Sequence, residues 1–226
     1  PGALAGMTET LKHRGPDDSG IWAGAVNGRF CGMGHRRLSI LDLSSSGHQP
    51  MLTGEGDFCI VYNGEIYNYS SLRRELEEQG ESFVSNTDTE VVLKGYRKWG
   101  YGVLEHCNGM FAFAILNLRS GELFLARDRM GQKPLYYYLD DSSLVFASEL
   151  KAIAAYPSLH LEIDRSAVPY YLYNGYISGE NTIYKNVFRL PQGCFAIYRD
   201  GKLDISRYWC LGGTEENIPY KDAKEK

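Results

Sequence analysis

The sequence has no Cys-x-x-Cys pair, and its five cysteines (Cys31, Cys59, Cys107, Cys194 and Cys210) are an odd number. That argues against both a zinc site and a disulfide framework, and it points to buried thiols in a reducing compartment, hence to the cytoplasm. The five histidines are scattered and form no His-x-x-x-His pair, so a metal centre is disfavoured. There is no basic block, and the net charge is −4, which makes nucleic acid and anionic membranes poor partners. No apolar run approaches the length that spans a bilayer, and no signal-peptide pattern is visible.

What is present is the composition of a soluble globular protein. The 226 residues are 43% hydrophobic and 23% charged, enough to bury a sizeable core as one large domain or two small ones. Seventeen tyrosines suit many half-buried strand positions.

The chain is organised around Val61-Tyr62-Asn63-Gly64-Glu65-Ile66-Tyr67-Asn68. The apolar run Phe58 to Tyr62 reads as a buried strand that stops at Asn63-Gly64, because both residues tolerate positive φ. Two readings of the stop compete. Asn-Gly is the strongest short hairpin signal. The same residues also bring a side-chain amide, a bare backbone N–H and the Glu65 carboxylate to one spot, where they could hold an oxyanion and a cationic amine.

Taken in order, Leu4, Met7 and Leu11 have helical spacing, and Gly15-Pro16 is the expected stop of that helix. Ile21 to Ala23 and Phe30 to His35 read as strands around an Asn27-Gly28 turn. Arg37 then meets a run of apolar residues; the ordinary reading is a surface arginine, and the apolar company speaks against it. Tyr69, Leu72 and Leu76 form one face of a helix that Gly80 ends. A second helix opens at Thr87-Asp88-Thr89-Glu90 with capping-box spacing, buries Val92, Tyr96 and Trp99, and stops at Gly100. On spacing alone Asp88 is a cap.

The second half is rich in strands: Met110 to Leu116, Leu123 to Ala126, Leu135 to Leu139 and Leu144 to Ser148, joined by short turns that imply antiparallel pairing. Helices are expected from Glu149 to Ala155 and from about Arg165 to Tyr173, the latter with Asp164 as N-cap. A hairpin follows, Cys194 to Tyr198 and Leu203 to Tyr208, around Asp200-Gly201. Residues 1–209 read as the folded domain and residues 210–226 as a polar linker.

Seven motifs in this order resemble one family: His13-Arg14-Gly15-Pro16-Asp17, Arg37-Leu38-Ser39-Ile40, Asn63-Gly64-Glu65-Ile66-Tyr67-Asn68, Thr87-Asp88-Thr89-Glu90, Gly109-Met110-Phe111-Ala112-Phe113-Ala114, Arg127-Asp128 with Gly131 and Lys133-Pro134-Leu135-Tyr136-Tyr137, and Ala147-Ser148-Glu149 with Lys151-Ala152. The chain is similar to the glutaminase domain of the asparagine synthetase family, the class II glutamine amidotransferases with the N-terminal-nucleophile hydrolase fold. The stretch from Gly175 to Gly193 resembles the segment joining that domain to the synthetase domain.

The resemblance implies an α+β fold, a four-layer αββα sandwich of two antiparallel sheets flanked by helices. It implies hydrolysis of L-glutamine to L-glutamate and ammonia, with ammonia passed to a C-terminal ATP-dependent synthetase domain. Arg37 would grip the glutamine α-carboxylate, a role that suits a guanidinium's two parallel donors. Asp88 would take the α-ammonium with help from Glu65, Leu38 and Ile40 would add backbone contacts, and Asn63 with Gly64 would form the oxyanion hole.

The family's nucleophile is an N-terminal cysteine whose own α-amine acts as base. The chain as given begins with Pro1, so the first strand and its cysteine are expected to be missing, and the chain is predicted inactive by itself. No Ser-Gly-Gly-x-Asp-Ser loop is present, so no cofactor is expected in this domain, and ATP and magnesium belong to the synthetase domain. A homodimer is a further expected association. Three readings stay open: a glutaminase domain of a glutamine-dependent asparagine synthetase, a glutaminase-like scaffold without activity, and another class II amidotransferase.

Overall fold

The computed structural model describes residues 2–40, 42 and 44–212. Helix α1 (Gly2–Glu9) precedes a long hairpin of β1 (Asp18–Val26) and β2 (Arg29–Arg37). Its turn residues Asn27 (φ 50°) and Gly28 (φ 73°) are both left-handed, which matches the twist of the two strands. After β3 (Met51–Leu52) come β4 (Phe58–Ile66), α2 (Tyr69–Glu78), α3 (Asp88–Trp99) and the single turn α4 (Val103–His106). Then follow β5 (Gly109–Asn117), β6 (Leu123–Arg127), β7 (Tyr136–Leu139), β8 (Leu144–Ala147), α5 (Leu150–Ala154), α6 (Ala167–Asn174), β9 (Val187–Arg189), β10 (Cys194–Arg199) and β11 (Lys202–Arg207).

A six-stranded antiparallel sheet, ordered β11-β10-β6-β5-β4-β3, is the spine. Strand alternation gives its two faces different partners. Ile60, Tyr62, Phe111, Phe113 and Phe124 pack against Leu72 and Leu76 of α2 and Val92 of α3. Their sequence neighbours Cys59, Val61, Ala112, Ala114 and Leu125 pack the other way, against Met33 of β2 and Tyr137 of β7. The far side of β7–β9 is covered by Ala152 and Ile153 of α5. Helix α1 lies on β2 through glycines: a Cβ at Gly34 would meet the Thr8 hydroxyl at 2.1 Å. The order of layers is helix, sheet, sheet, helix, as the resemblance implied.

The second sheet layer is not continuous. Among the described residues it consists of the β1–β2 ribbon and a separate β8-β7-β9 sheet with no ladder between them. Among the described residues β2 pairs only with β1 and β8 only with β7, so each keeps one unpaired edge.

Several local expectations need correction. Asn63-Gly64 does not end a strand; β4 runs through both residues in register with Ala112 and Phe111 of β5. Gly64 is required by closeness, since a Cβ there would lie 2.3 Å from the Met110 carbonyl oxygen. Helix α1 stops at Glu9, and a 3-10 turn at Lys12–Arg14 follows. Gly15 therefore caps that 3-10 turn and not α1, its N–H donating to the Lys12 carbonyl at 3.2 Å, and it lets the chain pass the Arg36 backbone, whose carbonyl a Cβ would approach to 2.3 Å. Asp164 is not the N-cap of α6, which starts at Ala167; its carboxylate instead accepts from the Ser166 N–H (2.9 Å) and hydroxyl (2.6 Å) in a local turn. Of the predicted linker 210–226, residues 213–226 lie outside the described residues; Cys210, Leu211 and Gly212 are exposed and irregular.

Candidate active site

Helix α3 and strand β4 meet at Asp88. The helix is capped by Thr87, whose hydroxyl accepts from the Glu90 N–H at 3.2 Å. The reciprocal half of the predicted capping box is absent, because the Glu90 carboxylate turns to the Ser85 N–H (2.7 Å) and hydroxyl (2.7 Å). Thr87 fills the N-cap, so Asp88 stands at the first helical position. Its Oδ2 accepts from the Tyr62 hydroxyl at 2.6 Å and from the Ile66 N–H at 2.9 Å. Burial raises its pKa above the ordinary carboxylate value, and the hydrogen bonds from Tyr62 and Ile66 oppose that rise only in part.

Past Ile60, β4 has no neighbouring strand on the β3 side among the described residues, because β3 pairs only with Cys59 and Ile60. Two side chains stand in for one. Gln49 Oε1 accepts from the Tyr62 N–H at 2.7 Å, and Asp88 takes the Ile66 N–H. The period of two in a strand puts the Gly64 N–H on the same edge, between these two anchors. Beside it, Asn63 Nδ2 is buried and has no hydrogen-bond partner, the only buried side-chain nitrogen or oxygen among the described residues in that condition.

Arg37 ends β2 and is only 8% exposed, so it is not a surface arginine. Its Nη1 donates to the Ser44 carbonyl at 3.0 Å, and its Nη2 donates to the Asp42 carbonyl. Gly47 lies against the guanidinium so closely that a Cβ would overlap it, at 2.0 Å from Nη2. The adjacent Arg36 faces the other way, with Nε on the Gly15 carbonyl at 3.1 Å.

One cavity of about 1270 Å³ gathers all seven predicted residues: Arg37, Leu38, Ile40, Asn63, Gly64, Glu65 and Asp88. Leu38 and Ile40 are its exposed rim, at 56% and 64%. The sequence reading missed Gln49, Tyr62 and Thr89. Tyr62 and Thr89 read as core and helix residues, and Gln49 sits in an irregular loop; Gln49 Nε2 reaches the Thr89 hydroxyl at 3.3 Å. The cavity continues away from these groups along consecutive residues of β2 (Cys31 to Arg37) and β8 (Leu144 to Ala147), which is to say along both unpaired edges.

Cys31, Cys59, Cys107 and Cys194 do not supply an activated thiolate. Cys59 and Cys107 are buried, with thiols pushed up to about 12 by burial. Burial also raises Cys31, which lines the cavity, and Cys194, which does not. Among the described residues no three His, Cys, Asp or Glu side chains cluster in a way that would hold a metal ion, and no helix is long and apolar enough to cross a membrane.

The profile of the glutamine amidotransferase domain matches residues 2–209. The chain belongs to the glutamine amidotransferase domain family. Within it, the chain is 42% identical over 221 residues to the glutamine-hydrolyzing asparagine synthetase 3 of Bacillus subtilis, covering 96% of this chain and 35% of that protein. It is 38% identical over 218 residues to amidase chry2 of Gibberella zeae, covering 96% of this chain and 31% of that protein. The chain therefore spans about a third of the length of these relatives. Its fold matches the glutamine phosphoribosylpyrophosphate amidotransferase of B. subtilis with a TM-score of 0.69 at 19% identity, over 93% of this chain and 47% of that one. That likeness shows the fold, the αββα sandwich of the N-terminal-nucleophile hydrolases.

Proposed function

We propose that this amidotransferase domain hydrolyses L-glutamine to L-glutamate and ammonia and passes the ammonia to an ATP-dependent synthetase domain. The observation that carries this reading is the unpartnered Asn63 amide. A buried donor without a partner costs about 1–3 kcal/mol, so a fold keeps one where a ligand supplies the acceptor. Asn63 Nδ2 and the Gly64 N–H together suit the oxygen of an amide under attack, where charge develops in the transition state. Arg37 and Asp88 offer opposite charges to the two ends of an amino acid's backbone, the carboxylate and the ammonium. Glu65 assists Asp88, and Leu38 and Ile40 hold the ligand's main-chain atoms.

The nucleophile in this reading is an N-terminal cysteine, whose α-amine takes the thiol proton and returns it to the leaving ammonia. An extended segment carrying it would run along the cavity that β2 and β8 both line, and each of these strands has one edge unpaired among the described residues. ATP and magnesium belong to the synthetase domain, and the relatives that are asparagine synthetases favour an aspartate-class acceptor over another.

The test is Asn63→Ala in a form that carries the N-terminal cysteine and the synthetase domain. Loss of one oxyanion donor lowers kcat by roughly a hundred- to a thousandfold. Glutamine-dependent turnover should fall by that factor with little change in KM, while synthesis from free ammonia persists. Equal loss of both activities would reduce Asn63 to a structural residue and defeat the assignment.

A further inference from the structure

A second cavity, of about 330 Å³, lies apart from the first and is walled by Arg127, Arg189 and Arg207 together with Gly131, Gln192 and Glu180. Three arginines line it, in a chain whose net charge is −4. Among the described residues none of the three forms an ion pair. One carboxylate, Glu180, shares the wall, which leaves a local excess of two positive charges.

The arginines differ in how firmly they are held. Arg127 is buried and fixed: Nε donates to the Lys133 carbonyl (2.8 Å), Nη1 to Leu190 (2.7 Å) and Nη2 to Gly131 (2.7 Å). With three N–H groups used, two of its five donors remain. Arg189 and Arg207 are parked on carbonyls at long range, Arg189 on Gly179 (3.3 Å) and Ile177 (3.4 Å), Arg207 on Gln192 (3.4 Å). Contacts of that length are weak and exchange readily for a charged acceptor. Burial, and next the charge of Arg189, pull the Arg127 guanidinium below its ordinary pKa, and the charge of Asp128 opposes them only in part. Gly131 keeps the space open, since a Cβ there would come within 3.1 Å of the Arg127 guanidinium.

We propose that this cavity binds a phosphate-class oxyanion, free or as the end group of a small phosphorylated molecule. The three arginines are the last residues of three different strands, β6, β9 and β11. A tetrahedral anion has oxygens to meet all three, whereas a planar carboxylate presents two oxygens in one plane. A phosphate carrying about −1.5 to −2 charges also balances the local excess.

The experiment is calorimetric titration of the full chain with inorganic phosphate at constant ionic strength, chloride being the compensating anion. One saturable site is expected. Arg207→Gln, at an exposed position where folding is not at stake, should weaken binding about tenfold or more. Arg189→Gln combined with Arg207→Gln should abolish it, and Glu180→Gln should tighten it. Arg119→Gln, which removes an exposed arginine paired with Asp57, should leave it unchanged. A non-saturable response, or equal affinity in the parent and Arg207→Gln chains, would overturn the site. Equal affinity for acetate would overturn the phosphate assignment.

Discussion

The Tyr62 hydroxyl donates to Asp88 Oδ2 at 2.6 Å, and both groups are buried. The pair joins the central strand to the helix beside it, and it tunes a carboxylate that the proposed reaction needs in its charged form. Burial raises the Asp88 pKa from its ordinary 3.8, and the Tyr62 bond is the first of the effects that hold it down.

That balance predicts the behaviour of Tyr62→Phe. Without the hydroxyl the Asp88 pKa rises further. An ammonium ligand requires the ionised carboxylate, so glutamine binding should weaken as pH falls through the raised value, and the midpoint should move up in Tyr62→Phe. Stability runs the opposite way. For a carboxyl raised on folding, the contribution is fully present below the unfolded value and is lost as pH rises through the folded one. Equilibrium glutamine binding measured from acid to neutral pH reads the first effect. A midpoint that does not move would detach Tyr62 from the site.

Arg37 should act on binding and not on turnover. Removing one member of a desolvated, charge-assisted contact costs on the order of 2–5 kcal/mol. Arg37→Ala should therefore raise the glutamine KM strongly. Arg37→Lys keeps the charge but loses the fork, and should recover only part of the affinity. Steady-state kinetics on a cysteine-bearing form reads both variants. Parent-like KM in Arg37→Ala would remove this residue from the substrate.

Gly64→Ala tests the reason for the glycine. The new methyl would lie 2.3 Å from the Met110 oxygen and 2.7 Å from the Phe111 Cα, both backbone atoms that cannot swing aside. Overpacking of this kind costs typically about 1–3 kcal/mol, and more where backbone must part. At Gly54 an added Cβ meets nothing within 4 Å, so Gly54→Ala should stay within about 0.5 kcal/mol of the parent. Urea unfolding of the two variants compares them directly. Equal stabilities would mean that β4 and β5 can separate at no cost.

The sequence carried the elements whose signals are local. Continuous apolar runs marked β4 and β5, and paired left-handed residues marked both the Asn27-Gly28 and Asp200-Gly201 turns. Asn63-Gly64 misled for a physical reason: the dipeptide tolerates a turn but does not compel one, and pairing with Phe111 and Ala112 holds it extended. The Asp88 cap reading failed similarly, because Thr87 already fills the cap and Tyr62 lies within reach only in the folded chain. Gln49 carried no local signal at all. Its role arises because β3 is short and leaves an edge for a side chain to complete. The split of the second sheet layer is likewise a matter of which edges find partners, and periodicity along one strand does not record that.

Asp128 has no exposed surface and accepts from the backbone N–H groups of Phe111 (3.2 Å), Met130 (3.1 Å), Gln132 (2.9 Å) and Lys133 (2.9 Å), while Arg127 holds carbonyls of the same loop. Residues 128–135 belong to no helix or strand. In hydrogen exchange, though, the amides of 130, 132 and 133 should rank with those of the central sheet, opening only when the sheet itself opens. Asp128→Asn, which turns a pure acceptor into a partial donor facing N–H groups, should shift those amides into the fast-exchanging class. This irregular loop would then keep time with the core in solution, and its rigidity would be visible one amide at a time.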